Sequence, residues 1–129
     1  MQGSNAVSLP WPPASLKPNS RKKHLHSTSD RKKYKAACWA LAKAAKIDPG
    51  LTHLDITFHP PDNRRRDLDN LLGSVKYGLD GVATALGVDD YGWSMSIRRA
   101  EKDPKKLGSV VVTFTSQDEA TIPLIGTIS

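Results

Sequence analysis

A chain of 129 residues has room for one modest hydrophobic core and not for two. Its 19 lysines and arginines against 13 acids leave a net charge of +6, unevenly spread: residues 1–66 carry +9 and residues 67–129 carry −3. A basic half of that strength suits a polyanion. The lone Cys38 excludes an internal disulfide and fits a reducing compartment. No run is long or apolar enough for a signal peptide or a membrane span, so a cytoplasmic protein without a membrane partner is expected.

The segment 1–5 reads as a loose terminus. Ala6–Leu9 alternates briefly and predicts an edge strand, ended by Pro10, Pro12 and Pro13, which cannot donate to a ladder. Trp11 is read as packing against the sheet in preference to stacking on a base. A loop over 14–29 follows, with Asn19 and the run Arg21-Lys22-Lys23 in it; beside Arg31-Lys32-Lys33 and Lys35 it makes a basic surface able to track a phosphate backbone. His24 and His26 lack partner thiols or helical histidine spacing, so no zinc site is read there, nor at His53 and His59. Ser29 or Asp30 caps a helix predicted to run to about Ile47, with Tyr34, Ala37, Cys38, Leu41, Ala44 and Ala45 on its apolar side, and Asp48-Pro49-Gly50 stops it. Cys38 lies in that apolar run and reads as packing.

Leu54, Ile56 and Phe58 alternate with polar residues, which marks a half-buried strand, and Pro60-Pro61-Asp62-Asn63 turns the chain into an arginine triplet. The spacing of Leu71, Leu72, Val75, Leu79, Val82 and Leu86 predicts a second helix over about 69–86, with Gly87 at its C′ position. A strand over 92–101, a turn through Lys102-Asp103-Pro104-Lys105-Lys106 and a strand from Gly108 to Thr115 read as a hairpin with a basic tip. The segment 116–129 lacks periodicity and reads as a tail in which Ile122, Leu124, Ile125 and Ile128 could dock. The order β-α-β-α-β-β predicts an α+β, two-layer domain: a small mixed sheet with two helices on one face, in a single unit over 1–129. The other sheet face is left to be covered, and dimerisation is one means.

The stretch Arg64-Arg65-Arg66-Asp67-Leu68-Asp69-Asn70 and the pair Asp89-Asp90 carry the chemistry. Residues two apart share a side only on extended chain, so Asp67 and Asp69 serve one site if they lie on the last extended residues or at the helix cap. Two acids at a helix start are usually caps. Three arginines and four acids bracketing one helix, however, suit an anion held beside a cation. Carboxylates bind Mg²⁺, arginines hold phosphates bidentately, and the helix N-terminus favours ionised acids. That is the equipment of phosphodiester hydrolysis. A helix of this length prevents Asp90 from approaching Asp67 by continuing it; the following strand, through Trp93, Met95 and Ile97, is expected to bring it back.

PDNRRRDLDNLL followed by LDGVATALGVDD resembles the signature of the RusA-type Holliday junction resolvases, small homodimeric endonucleases common in bacterial prophages, and Leu9-Pro10-Trp11-Pro12-Pro13 with Pro18-Asn19 is similar to their N-terminal segment. The resemblance covers roughly residues 7–115. It implies metal-binding and catalytic acids at Asp67, Asp69 and Asp90, with Asp89 the less certain metal ligand. Mg²⁺ is the implied cofactor, with Mn²⁺ as a substitute and no small-molecule cofactor, and branched DNA is the implied substrate. Several members carry a catalytic lysine four residues after the second acid; here that position is Gly73. Lys76, seven residues after Asp69, is the nearest replacement, and an i, i+4 pair with Asp80 is an equal reading of it.

The expected activity is thus Mg²⁺-dependent cleavage of four-way junctions by paired symmetric nicks. A cation-activated water attacks the phosphate, Arg64, Arg65 and Arg66 neutralise its charge, and a two-fold dimer supplies two copies of the site. The alternative is a branched-DNA-binding module that has lost catalysis. A metal-dependent nucleotide phosphohydrolase is a weaker third.

Overall fold

The computed structural model describes residues 5–16 and 23–116. Strands β1 (Ala6–Pro10), β2 (His53–His59), β3 (Ser94–Arg99) and β4 (Ser109–Thr115) form one mixed sheet in the order β1-β4-β2-β3. Helix α1 (Lys23–Ala45) links β1 to β2, and α2 (Leu68–Leu86) links β2 to β3. Short 3₁₀ turns lie at Ala14–Leu16 and Asp90–Gly92.

The alternation read in β2 sets the layers. Leu54, Ile56 and Phe58 are buried, as are Val110, Val112 and Phe114 of β4 and Val7 and Leu9 of β1; they share one core with Tyr34, Cys38 and Ala42 of α1 and Leu71, Val75, Leu79 and Val82 of α2. Both helices therefore cover one sheet face, as the composition predicts. The other face is polar: His53 meets Ser94 Oγ at 2.7 Å and Ser96 Oγ at 3.1 Å, and Arg98 Nε donates to Thr57 Oγ1 at 3.1 Å.

The predicted hairpin is not formed. β2 pairs parallel to β3 on one side and antiparallel to β4 on the other, so β3 and β4 flank it and the basic 102–107 turn passes over the end of β2. Val110, Val112 and Phe114 lie in the middle of the sheet, on a strand flanked by β1 and β2.

α1 starts six or seven residues earlier than its sequence cap, at Lys23, and ends at Ala45. Ser15 Oγ instead donates to Asp30, tying the 3₁₀ turn to the helix. Of the expected apolar side, Tyr34 and Cys38 are buried and Ala45 half-buried, whereas Ala37, Leu41 and Ala44 face outward. Contact with α2 decides this: Gly78 lies against Tyr34 and Cys38, and Gly81 against the Lys35 carbonyl. Burial pushes the Cys38 thiol up to about 12, consistent with packing.

Asn5, placed with the loose terminus by sequence, is tied down: its carbonyl accepts from Phe114 N at 2.7 Å and its side chain from Asp48 N at 3.1 Å. The remaining terminal segments, 1–4 and 117–129, lie outside the described residues, as do Asn19, Arg21 and Lys22; Lys23 opens α1. No helix among the described residues is long and apolar enough to cross a membrane.

Candidate active site

Parallel pairing of β2 with β3 fixes which end of the domain each acid occupies. β2 delivers the chain to the arginine triplet, α2 carries it back along the sheet, and β3 starts level with the beginning of β2, where His53 faces Ser94. Asp67, extended at φ −82° and ψ 138°, is the N-cap residue of α2, and Asp69 lies in its first turn. Asp67 makes no capping hydrogen bond, and both residues are exposed. Their carboxylates are therefore presented to solvent at the positive end of the helix.

Asp89 and Asp90 lie beyond the other end of α2, which at 1.5 Å per residue is about 28 Å long. The strand expected to return Asp90 does run back, but Asp90 precedes it. Among the described residues no three acidic, histidine or cysteine side chains converge as a metal group. One chain thus places Asp67 and Asp69 at one end of α2 and Asp90 beyond the other.

The helix ends as the sequence reads. Gly87 adopts φ 72°, its N–H and that of Val88 closing on the Thr84 and Ala83 carbonyls, and Val88 then leads into the Asp90–Gly92 turn. Asp89 Oδ1 accepts from Tyr91 N at 3.0 Å. Asp90 approaches Asp80, whose spacing in sequence suggests only an i, i+4 partner for Lys76; Lys35 lines the same cleft, of about 480 Å³. Desolvation, then the hydrogen bond and charge of Asp90, raise the Asp80 pKa, against the opposing pull of Lys35 and Lys76. Lys76 is exposed and sits in this field. About 10 Å of helix separates it from Asp69.

The three arginines, alike in sequence, differ in surroundings. Arg66 is turned inward, its side chain 9% exposed: Nη2 pairs with Asp62 Oδ1 at 2.9 Å, Nη1 donates to the Asp62 and Arg64 carbonyls, and the guanidinium stacks 5.5 Å from the Trp11 ring centroid. Trp11 is in turn set edge-on to Phe58 and packs over Gly108, whose φ of 81° and lack of a side chain make the close approach possible. Arg66 was expected to face phosphate; here it braces the loop that presents Asp67, and its own carbonyl accepts from Arg99 Nη1.

Arg64 pairs with Asp62 at 3.2 Å but is 80% exposed, and Arg65 is exposed. The Arg64 N–H and guanidinium, with Arg66, hold the Asp62 carboxyl well below the usual carboxylate range. Arg64 and Arg65 line a groove of about 270 Å³ with Arg99 and Lys102. Those last two, at the end of β3 and just past it, carry no local motif, and only the sheet order brings them beside the triplet. Of the basic residues predicted on α1, Lys32 and Lys33 are exposed, while Arg31 lies over the Tyr77 ring at 5.0 Å.

Fold and site together define a small two-layer α+β domain with an exposed acid pair at a helix N-terminus, next in the chain to an arginine-lined groove. No family model matches the chain. It belongs to one family with an uncharacterized protein of Xylella fastidiosa (strain Temecula1), to which it is 32% identical over 116 residues, covering 85% of this chain and 75% of the other. Over 73 residues, 51% of this chain and 58% of theirs, it is 36% identical to crossover junction endodeoxyribonuclease RusA of Escherichia coli K12 and of Shigella sonnei. The corresponding protein of Enterobacteria phage 82 is 35% identical over 72 residues. The chain thus spans little more than half the length of these nucleases.

Proposed function

We propose that the protein is a structure-specific DNA endonuclease of the RusA type, cutting four-way junctions with Mg²⁺ as a two-fold homodimer. The observation that carries the reading is the pair Asp67 and Asp69, both exposed at the head of α2 and Asp67 without a side-chain capping bond, beside the groove of Arg64, Arg65, Arg99 and Lys102. The partial likeness to crossover junction endodeoxyribonucleases points the same way.

The donors suit a hard cation, since all are carboxylates. When bound, Mg²⁺ would polarise the scissile phosphate and acidify the attacking water. Asp67 and Asp69 are its holders from one chain. Asp90 completes the set from a second copy, because its own chain keeps it at the far end of α2. Asp89 has one carboxylate oxygen engaged by Tyr91 N and is the lesser donor. Arg64, Arg65 and Lys102 hold the flanking phosphates, while Arg66 fixes the loop.

The test is cleavage of a synthetic four-way junction in Mg²⁺ by Asp67→Asn, Asp69→Asn and Asp90→Asn, each expected to lose at least 100-fold in rate while still binding the junction. Cutting at the parental rate by any of them removes that residue from the site.

Gly73 at the family's lysine position, with Lys76 a further three residues along α2, favours a second reading, in which the domain binds branched DNA without cutting it. Any Mg²⁺-dependent nicking at stoichiometric protein eliminates it.

A further inference from the structure

We propose that Tyr91 is a base-stacking residue that engages an unstacked nucleobase at the branch point of the DNA, an assignment that rests on the endonuclease reading. The ring is 93% exposed, so it contributes next to nothing to this chain's core. A single exposed apolar side chain is ordinary on a protein surface, but two further features separate this one. Its backbone is held on both sides: Asp89 Oδ1 accepts the Tyr91 N–H, and Gly92 N and Trp93 N close on the Asp89 and Asp90 carbonyls. Trp93, two residues on, is buried edge-to-face against Phe114 with centroids 5.7 Å apart, which anchors the segment to the sheet. The turn therefore presents an exposed but well-rooted aromatic ring to solvent.

Its neighbours also restrict what the ring can meet. Apart from the one scissile phosphate reached through a bound cation, Asp89 and Asp90 repel backbone phosphate, so nucleic acid beside this turn presents its uncharged bases more favourably than its backbone. Bases in continuous duplex are occupied by stacking on each other, whereas a branch point frees some of them. An aromatic ring can stack on any of these, because every base has a π face. Tyr91 would thus favour branched over linear DNA without choosing a sequence.

The experiment compares the parent with Tyr91→Ala and Tyr91→Phe for binding, in EDTA, to a four-way junction and to linear duplex of the same sequence. Tyr91→Phe should bind both within about twofold of the parent. Tyr91→Ala should bind the junction about 5- to 100-fold more weakly and the duplex unchanged. Equal junction binding by parent and Tyr91→Ala overturns the assignment, as does equal loss on both DNAs. Dissociation of a parental dimer into monomers by Tyr91→Ala also overturns it, since the ring would then dock on a second copy. A parent that neither binds nor cuts junctions defeats the endonuclease reading itself, a result distinct from the other three.

Discussion

Arg65 and Arg66 are adjacent, chemically identical and set to different tasks. The Arg66 fork is matched by Asp62, two carbonyls and the face of Trp11, an arrangement that a lysine cannot copy because it has neither the plane nor the fixed donors. Arg66→Lys should therefore destabilise the fold by about 1–3 kcal/mol in urea unfolding despite keeping the charge. Arg65→Ala should leave stability within about 0.5 kcal/mol, and its effect should appear in the salt dependence of DNA binding, where losing one phosphate contact lowers the slope of log K against log salt by about 0.9. A triplet reads as three equivalent cations in sequence. Which one turns inward depends on Trp11, more than fifty positions away, and no local pattern encodes that.

α2 is the element whose reading transfers best from sequence to structure. Its apolar spacing, glycine stop and acidic start all lie in consecutive residues and all act locally. α1 fares less well because its alanines fit either side of a helix; the buried side is chosen by the glycines of α2. Gly81 gives the sharpest test. Alanine there improves helix propensity by up to about 1 kcal/mol, but its methyl would overlap the Lys35 backbone carbonyl, which cannot rotate aside. The helices must then separate, so Gly81→Ala is expected to cost about 1–3 kcal/mol net. A variant as stable as the parent in urea would show that the α1–α2 contact is looser than described.

At the scale of the whole molecule, the spacing of the acids decides what kind of assembly can work. With Asp67 and Asp69 at one end of α2 and Asp90 at the other, a homodimer that cuts must share its sites between chains. Mixing Asp67→Asn with Asp90→Asn protein should then regain nicking, because the mixed dimer holds one site with every acid intact and one that lacks both Asp67 and Asp90. The product should be single nicks rather than paired resolution. Two inactive proteins that stay inactive when mixed, under conditions where subunits exchange, would mean that each chain builds its own site.

What the sequence determined alone was everything that consecutive residues can settle: the element order, the inward face of β2, the course of α2, and the presence of an acid pair beside arginines at its head. Tertiary structure decided the rest. Parallel pairing of β2 and β3 sent Asp90 to the far end of the domain, inserted β2 between the strands expected to form a hairpin, and brought Arg99 and Lys102 to the arginine loop. The physical reason is that periodicity records which side of an element is apolar, while strand order is settled by which partners bury those sides together, and that is a property of the folded chain.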